Sequence, residues 1–254
     1  MNDDELGRRL SERMTSAERD QSFPDSEPRD AATLMLIDRR DKANPKVLLG
    51  RRHAGHKFMP GKFVFPGGRI ETFDATMTAV SEPHPDMEKK LMTRVAKSDV
   101  KSDAGYARSF PLAAIRETAE ETGLLLGVKR DEPPSVPGEI WTEFAKACVY
   151  PDLGNIHFVA RAVTPPRRPR RFDTRFLTAD ASMIAHTIEG VVGEDTELVE
   201  LVWIPIAQAA KLDLPAITGV VLDELGIRVA AGMAHDLPVP FFFMQGEKFF
   251  RELL

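Results

Sequence analysis

"AAIRETAEETGLLL", residues 113–126, decides the fold of this chain, because it carries three glutamates in a helical pattern that ends at Gly123. Steps of three and four residues return to one side of an α-helix, so Glu117, Glu120 and Glu121 share an arc of about 100°. Three carboxylates this close repel one another unless a cation compensates them. The pattern indicates either a solvated acidic stripe or a site for a divalent cation.

A glycine turn upstream favours the cation site. In "FVFPGGRIE", residues 63–71, Pro66 restricts the backbone, while Gly67 and Gly68 allow conformations and close contacts that side chains prevent. Mg²⁺ prefers carboxylate oxygens together with waters and phosphate oxygens. The acidic helix and the glycine turn therefore predict a site that holds a metal ion beside a phosphate group.

Composition places the chain among ordinary globular proteins. Its 254 residues are 43% hydrophobic and 29% charged. We expect a polar N-terminal extension over residues 1–30 and a single domain over residues 31–254, with an insertion at about 75–109. The net charge of -5 argues against a nucleic-acid binder. The single cysteine and the lack of a long apolar run are typical of a cytoplasmic protein that does not enter membranes.

Short apolar runs bounded by polar turns predict most of the secondary structure. The predicted strands are 31–37, 46–50, 62–65, 155–163, 174–179 and 196–204. The predicted helices are 3–14, about 87–95, 205–212, 216–226 and the acidic helix, with Ser109 as its N-cap and Pro111 in its first turn. The phenylalanine-rich tail, residues 239–253, is expected in the core or at an interface.

Together the two motifs resemble the signature of the Nudix hydrolases. That signature is a glycine, five residues, a glutamate, seven residues, and then Arg-Glu-aliphatic-x-Glu-Glu-x-Gly-aliphatic. Here Gly68 is followed after five residues by Asp74, and the second half begins at Arg116 with Thr118 at the aliphatic position. An insertion of 34 residues separates the halves, at a place where a loop lengthens at modest entropic cost.

Two other segments are similar to parts of Nudix proteins. Residues 48–68 match in part a motif of the coenzyme A-cleaving members, which implies that Arg52, Lys57 and the Gly67-Gly68 turn bind substrate. The split signature and "PPRRPRRFDTRFL", residues 165–177, resemble a branch that includes a peroxisomal coenzyme A diphosphatase.

The arginines of that last segment have two interpretations. They form either a solvated loop or a surface for substrate phosphates, for which Arg171 and Arg175, nearest the predicted strand, are the better candidates.

The resemblance implies a fold and a cofactor. The fold is an α/β/α sandwich around a mixed β-sheet, with a helical insertion inside the signature. Glu117, Glu120 and Glu121 would bind Mg²⁺ or Mn²⁺, and Arg116 would orient a helix glutamate by an ion pair. The insertion is interpreted either as a substrate lid or as a contact of a homodimer.

The implied reaction is metal-dependent cleavage of a small-molecule nucleoside diphosphate, with coenzyme A or an acyl-coenzyme A giving 3',5'-ADP and a phosphopantetheine. Glu121, Glu194 and Glu197 stay open as the general base, and Glu120 and Arg116 complete the catalytic set. The alternatives are a diphosphatase for NADH, ADP-ribose or another nucleoside diphosphate derivative, and a Nudix-fold binding module without catalysis. The intact glutamates argue against the last.

Overall fold

The chain folds around one mixed β-sheet. The structure is a computed structural model, and it describes residues 3–16, 22–55, 59–95 and 104–254. The helices in these ranges are α1 (Asp3–Ser16), α2 (Pro85–Leu91), α3 (Ala104–Thr122), α4 (Thr142–Lys146), α5 (Ile206–Ala209) and α6 (Ala216–Ala230). The first strands are β1 (Arg29–Asp38), β2 (Lys46–Arg52), β3 (Phe63–Val64), β4 (Gly67–Arg69), β5 (Leu124–Leu126), β6 (Val128–Lys129) and β7 (Val149–Tyr150). The later strands are β8 (His157–Val163), β9 (Phe172–Asp180), β10 (Ile184–Thr187), β11 (Leu198–Pro205), β12 (Pro240–Gln245) and β13 (Lys248–Leu253).

Within the described residues the central sheet has nine strands. Seven of them run in the order β11-β2-β1-β9-β8-β12-β13, while β3 pairs with β2 and β4 pairs with β1. The sheet is mixed, because β1 is parallel to β9 and β12 is parallel to β8, whereas the other pairs are antiparallel. The predicted mixed sheet is confirmed, and each of the six predicted strands has a counterpart in it.

Alternation along β1 divides the core into two layers. Leu34 and Leu36 pack on one face of the sheet with the apolar side of α3, and Met35 and Ile37 pack on the other face with α1 and α6. This alternation is expected, because successive side chains of a β-strand point to opposite faces of the sheet. Helices therefore cover both faces of the sheet, which confirms the α/β/α sandwich.

The N-terminal helix belongs to this core, although its sequence looks like a polar extension. Leu10 and Met14 lie one turn apart on α1, are 1% and 7% exposed, and pack in the layer beside α6 and β13. Two apolar residues at this spacing are enough to fix one face of a short helix. Composition misses such a contact, because the rest of α1 is charged.

The acidic helix is longer than predicted. It already includes Ala104, so Ser109 and Pro111 lie in its interior, where the Ser109 hydroxyl donates to the Tyr106 carbonyl at 2.6 Å. A proline is typical of a first turn, which explains the prediction, but here the helix continues through it. Gly123 ends the helix as predicted, with a φ of +74°.

The inserted segment is partly helical and is packed against the core. Within its described residues, Met77, Met87 and Leu91 are at most 1% exposed in the same layer as α3. The helix predicted over about 87–95 corresponds to α2, which is shorter than predicted at its C-terminal end because it stops at Leu91. None of the helices in the described ranges is long and apolar enough to cross a membrane.

Three histidines form a stack where the insertion meets the sheet. The ring of His235, which follows α6, lies 4.1 Å from the ring of His84 at the N-cap of α2 and 4.1 Å from the ring of His157 on β8. Burial lowers the pKa of His157 to about 4, and the adjacent His235 lowers it further in the same direction. Burial also lowers the pKa of His235, so the stack favours the uncharged forms of His157 and His235.

We expect His157 to make the fold sensitive to acid. Its pKa in the folded chain is about 4 and its ordinary value is 6.5. Between these values the unfolded chain binds the extra proton, so the contribution is intact above pH 6.5 and is lost as the pH falls towards 4. Between pH 7.5 and 5.0 the expected loss is about 1 kcal/mol, because solvent around the partly exposed ring screens part of the effect. Urea unfolding of the wild type and His157→Gln at both pH values measures it, and an equal pH dependence in the two proteins would contradict the prediction.

Candidate active site

A cleft of about 1080 Å³ opens over one face of β4, β1 and β9. Strand register places small residues side by side on this face, because Thr33 pairs with Gly67 and Ala31 pairs with Thr174. Phe176, beside Thr33 on β9, completes the floor. The face is therefore flat and open enough to receive a planar or extended ligand.

Three carboxylates and an arginine lie at one end of this cleft. Glu117 and Glu121 come from α3, whereas Glu197 comes from the turn before β11. Arg52, at the end of β2, contacts Glu197 with a distance of 2.8 Å between Nη2 and Oε1. The cleft thus combines acids of the helix motif with an acid that lies 76 or more positions later in the chain.

Glu121 carries a poorly compensated charge. It is 8% exposed, and its Oε2 atom has no hydrogen-bond partner among the described residues. Burial raises the pKa of Glu121 well above its ordinary value, Glu197 and Glu117 raise it further, and Arg52 opposes them. A buried carboxylate without a full set of partners is costly unless a cation approaches it.

Arg116 is buried and forms ion pairs with acids of both halves of the motif. Its side chain is 3% exposed and makes a two-pronged contact with Asp74, with Nε to Oδ1 at 2.8 Å and Nη2 to Oδ2 at 3.1 Å. Its Nη1 atom contacts Glu117 at 2.8 Å and Glu120 at 3.2 Å. Burial alone would lower the pKa of Arg116, but its bonds to Asp74 and Glu117 outweigh burial and keep the pKa above its usual value. Arg116 therefore holds three carboxylates around one guanidinium group.

Asp74 therefore has a defined place. It is fully buried and also accepts a hydrogen bond from the Glu71 backbone amide at 2.9 Å. The shorter aspartate side chain reaches Arg116 rather than the cleft. This contact joins the two halves of the motif across the insertion, as their convergence in space requires.

The glycine pair is needed for close approach rather than for an unusual backbone. Gly67 and Gly68 continue into β4, and neither has a positive φ. A Cβ atom at Gly68 would overlap the Glu117 carboxylate, and one at Gly67 would meet Thr33 and the Ala32 carbonyl. The expected close contact is present, whereas the expected turn conformation is replaced by an extended strand.

Glu120 differs from its two neighbours. Its side chain is 35% exposed and is absent from the cleft lining, because it is held towards Arg116. Burial raises the pKa of Glu120, and Arg116 opposes this. The structure thus brings Glu117 and Glu121 together in the cleft and leaves Glu120 at its margin.

The residues predicted to bind substrate separate into three groups. Arg52, Gly67 and Gly68 line the acidic end of the cleft, while Lys57 lies outside the described residues. Arg171 lines the other end, where its Nη1 atom contacts Asp25 Oδ1 at 2.7 Å. The same Nη1 atom donates to the Ser26 carbonyl, and Nε donates to the Thr164 carbonyl. The side chain of Arg171 is therefore already held by several partners within the protein.

Arg175 is placed differently from the prediction. Thr174 and Phe176 face the cleft, so strand alternation turns Arg175 to the opposite face, where it is 1% exposed. Its Nη1 atom contacts Asp30 at 2.9 Å and Asp173 at 3.1 Å, and its guanidinium lies 4.3 Å from the ring of Phe110. Arg175 is a buried structural cation, and it does not reach the cleft.

We expect Arg175→Gln to weaken the fold without changing substrate affinity. The change leaves Asp30 and Asp173 without their shared cation, and loss of one partner of a buried ion pair costs about 3–5 kcal/mol. Thermal unfolding should show the loss, while the KM of the remaining folded enzyme should stay within about twofold of wild type. A raised KM with an unchanged melting temperature would instead place Arg175 at the substrate.

The donor chemistry of the site fits a hard divalent cation. Within the described ranges no group of three or more acidic, histidine or cysteine side chains is arranged so that it could hold a metal ion. The unpartnered Oε2 of Glu121 and the nearby carboxylate of Glu117 are nevertheless oxygen donors of the kind that Mg²⁺ and Mn²⁺ prefer. Arg116 forms ion pairs with Glu117 and Glu120 and so keeps both carboxylates close to Glu121.

Comparison with known proteins identifies the fold. No family model matches the chain. A Nudix hydrolase of Alicyclobacillus acidocaldarius is 28% identical, with a TM-score of 0.55, over 81% of this chain and 96% of that one. The Nudix domain of Shewanella oneidensis NrtR, solved with ADP-ribose, is 14% identical with a TM-score of 0.41, over 90% and 99% of the two chains. A Nudix protein of Listeria monocytogenes is 15% identical with a TM-score of 0.43, over 81% and 97%.

Only the first of these similarities is high enough to carry weight. It extends over nearly the whole of the bacterial enzyme and over four fifths of this chain. The α/β/α architecture is that of the Nudix hydrolases, and the likeness supports a hydrolase that acts on diphosphates.

Proposed function

We propose, on the premise that the chain is an enzyme of the Nudix hydrolase class, that it cleaves the diphosphate of coenzyme A or an acyl-coenzyme A. The products would be 3',5'-ADP and phosphopantetheine or its acyl form. The observation that carries the proposal is the pairing of an acidic end, with Glu117, Glu121 and Glu197, and an arginine-lined remainder in one cleft. The partial match of residues 48–68 to the coenzyme A motif supplies the substrate class.

A divalent cation, Mg²⁺ or Mn²⁺, would be held by Glu117, Glu120 and Glu121, and when bound it would neutralise diphosphate charge and lower the pKa of a water molecule. The chain's own residues supply the rest of the reaction. Arg52 lies beside these acids and can donate to a phosphate oxygen, while the missing side chain at Gly68 leaves room for the Glu117 carboxylate itself.

Glu197 is our candidate for the proton acceptor. It lines the cleft, its side chain is 44% exposed, and Arg52 holds one of its oxygens at 2.8 Å. In the proposed reaction the oxygen of water bonds to one phosphorus, the bridging bond from that phosphorus to oxygen breaks, and Glu197 takes the proton of the water. Glu121, being buried and short of partners, suits the cation better.

A substrate panel tests the proposal. Purified protein is incubated with Mg²⁺ or Mn²⁺ and with coenzyme A, acetyl-coenzyme A, NADH or ADP-ribose. We expect the two coenzyme A compounds to give the highest kcat/KM and Glu120→Gln to lower it. Glu132→Gln, the same change in an exposed loop, is the matched control. Turnover of NADH or ADP-ribose alone would overturn the coenzyme A assignment, and no turnover of any diphosphate would overturn the catalytic one.

A further inference from the structure

The cleft has a second concentration of positive charge away from its acidic end, formed by Arg29 on β1 and Arg69 on β4. We infer that these two arginines form an anion subsite that binds a phosphomonoester group of the substrate, separate from the diphosphate. The inference rests on the proposed function and deepens it, because it selects nucleotides whose ribose carries an additional phosphate.

Strand register places the two arginines on the same face. Ala31 pairs with Arg69 and Thr33 pairs with Gly67 in the antiparallel β1-β4 ladder. Since side chains alternate along each strand, Arg29 shares the cleft face with Ala31, and Arg69 is its diagonal neighbour across the ladder. Diagonal neighbours are about 7–8 Å apart, within reach of two long side chains that meet at one ligand.

The pair stands where two cavities meet. A second cavity, of about 540 Å³, lies beside the cleft and is lined in part by Tyr106. Pro28, Arg29 and Arg69 line both cavities. A ligand that extends from the acidic end of the cleft towards the second cavity therefore passes between the two guanidinium groups.

The charge of the pair is only weakly balanced within the protein. Arg29 makes no ion pair with another residue of the described ranges, and Arg69 meets Glu71 only at 3.6 Å with both side chains about half exposed. Exposed pairs of this kind contribute little. Glu27 is the other acid that lines this part of the cleft. Arg116, in contrast, is fully engaged by carboxylates, and Arg171 is held by Asp25, so the pair is among the cleft cations that remain accessible to a ligand, together with the exposed Arg170.

Distance from the acidic end sets what the anion can be. Arg69 directly follows Gly68, which lies against the Glu117 carboxylate, so the backbone of Arg69 is about 3.3 Å farther along β4 and its side chain extends away from the acids. With the reach of the arginine side chain, this separation is of the size of a nucleotide sugar. Two guanidinium forks match the several oxygens of a phosphomonoester dianion better than they match a neutral sugar hydroxyl.

Matched substrates that differ by one phosphate test the subsite. Coenzyme A should be cleaved with a kcat/KM about 10–100-fold higher than dephospho-coenzyme A, as expected for charge-assisted hydrogen bonds. Arg29→Gln and Arg69→Gln should each reduce this preference about tenfold, while the rate with dephospho-coenzyme A stays within about twofold. Arg39→Gln, at the other end of β1 and paired with Asp180, is the control that should keep the preference.

Binding of products separates this inference from the proposed function. Calorimetry without metal should show tighter binding of 3',5'-ADP than of AMP, and Arg29→Gln should remove the difference. If neither coenzyme A compound is cleaved but this arginine-dependent difference is present, the subsite stands and the hydrolase proposal fails. If both compounds are cleaved equally and both nucleotides bind equally, the subsite is wrong and the hydrolase remains.

Discussion

Replacement of Arg116 by alanine is expected to lower the free energy of unfolding by about 3–5 kcal/mol. The reason is that Arg116 is the shared cation of three carboxylates, of which Asp74 is fully buried. Its loss leaves Asp74 with an uncompensated charge and lets Glu117 and Glu120 repel each other at close range. Catalysis should fail as well, because these glutamates would no longer be held beside the glycine strand.

An arginine-aspartate pair at the surface provides the matched control. Arg40 contacts Asp38 at 2.6 Å, but the Arg40 side chain is 91% exposed. Arg40→Ala should therefore leave the unfolding midpoint almost unchanged, in contrast to Arg116→Ala. Urea titrations of both variants and of the wild type give the comparison. Equal losses of stability in the two variants would contradict the prediction, because burial of the Arg116-Asp74 pair would then not increase its contribution to the free energy of unfolding.

Replacement of Glu121 by glutamine should inactivate the enzyme and stabilise the fold. Turnover is expected to fall about 10³-fold, because a neutral amide is a poor ligand for the hard cation that the reaction requires. Stability of the metal-free protein should rise by about 1–2 kcal/mol, since the change removes a buried charge that Glu117 and Glu197 repel. A gain in stability at the expense of activity is a known mark of functional sites.

Two measurements check the opposite signs of these effects. Thermal unfolding without metal should give a higher midpoint for Glu121→Gln than for wild type, and steady-state assays should give the loss of kcat. Glu132→Gln, an exposed site, should change neither. A variant that is both less stable and fully active would show that Glu121 is a structural residue.

The strands and the acidic helix can be predicted from the sequence because they depend on local patterns, whereas the sandwich is implied only by the resemblance to the Nudix hydrolases. The alternation of apolar residues marks the strands, and the three-to-four spacing of Glu117 and Glu121 marks one helix face. The glycine pair is visible in the sequence, but only the structure shows why glycine is required there, namely the close approach of the Glu117 carboxylate.

The remaining features depend on contacts between distant parts of the chain. Glu197 looked like a solvated loop acid, and only the pairing of β11 with β2, in which Leu198 lies opposite Arg52, brings it into the cleft. Arg175 looked like a phosphate ligand, because its sequence does not reveal which face of β9 is covered by α3. Leu10 was hidden for the same reason, since its partners lie on α6 and β13.

Phosphorus NMR of coenzyme A during incubation with the protein and Mg²⁺ follows the proposed cleavage directly. We expect the diphosphate resonances to disappear and two new phosphomonoester resonances to grow in equal amounts, from 3',5'-ADP and phosphopantetheine, without release of orthophosphate. Persistence of the diphosphate resonances, or release of orthophosphate from the ribose phosphate instead, would contradict it.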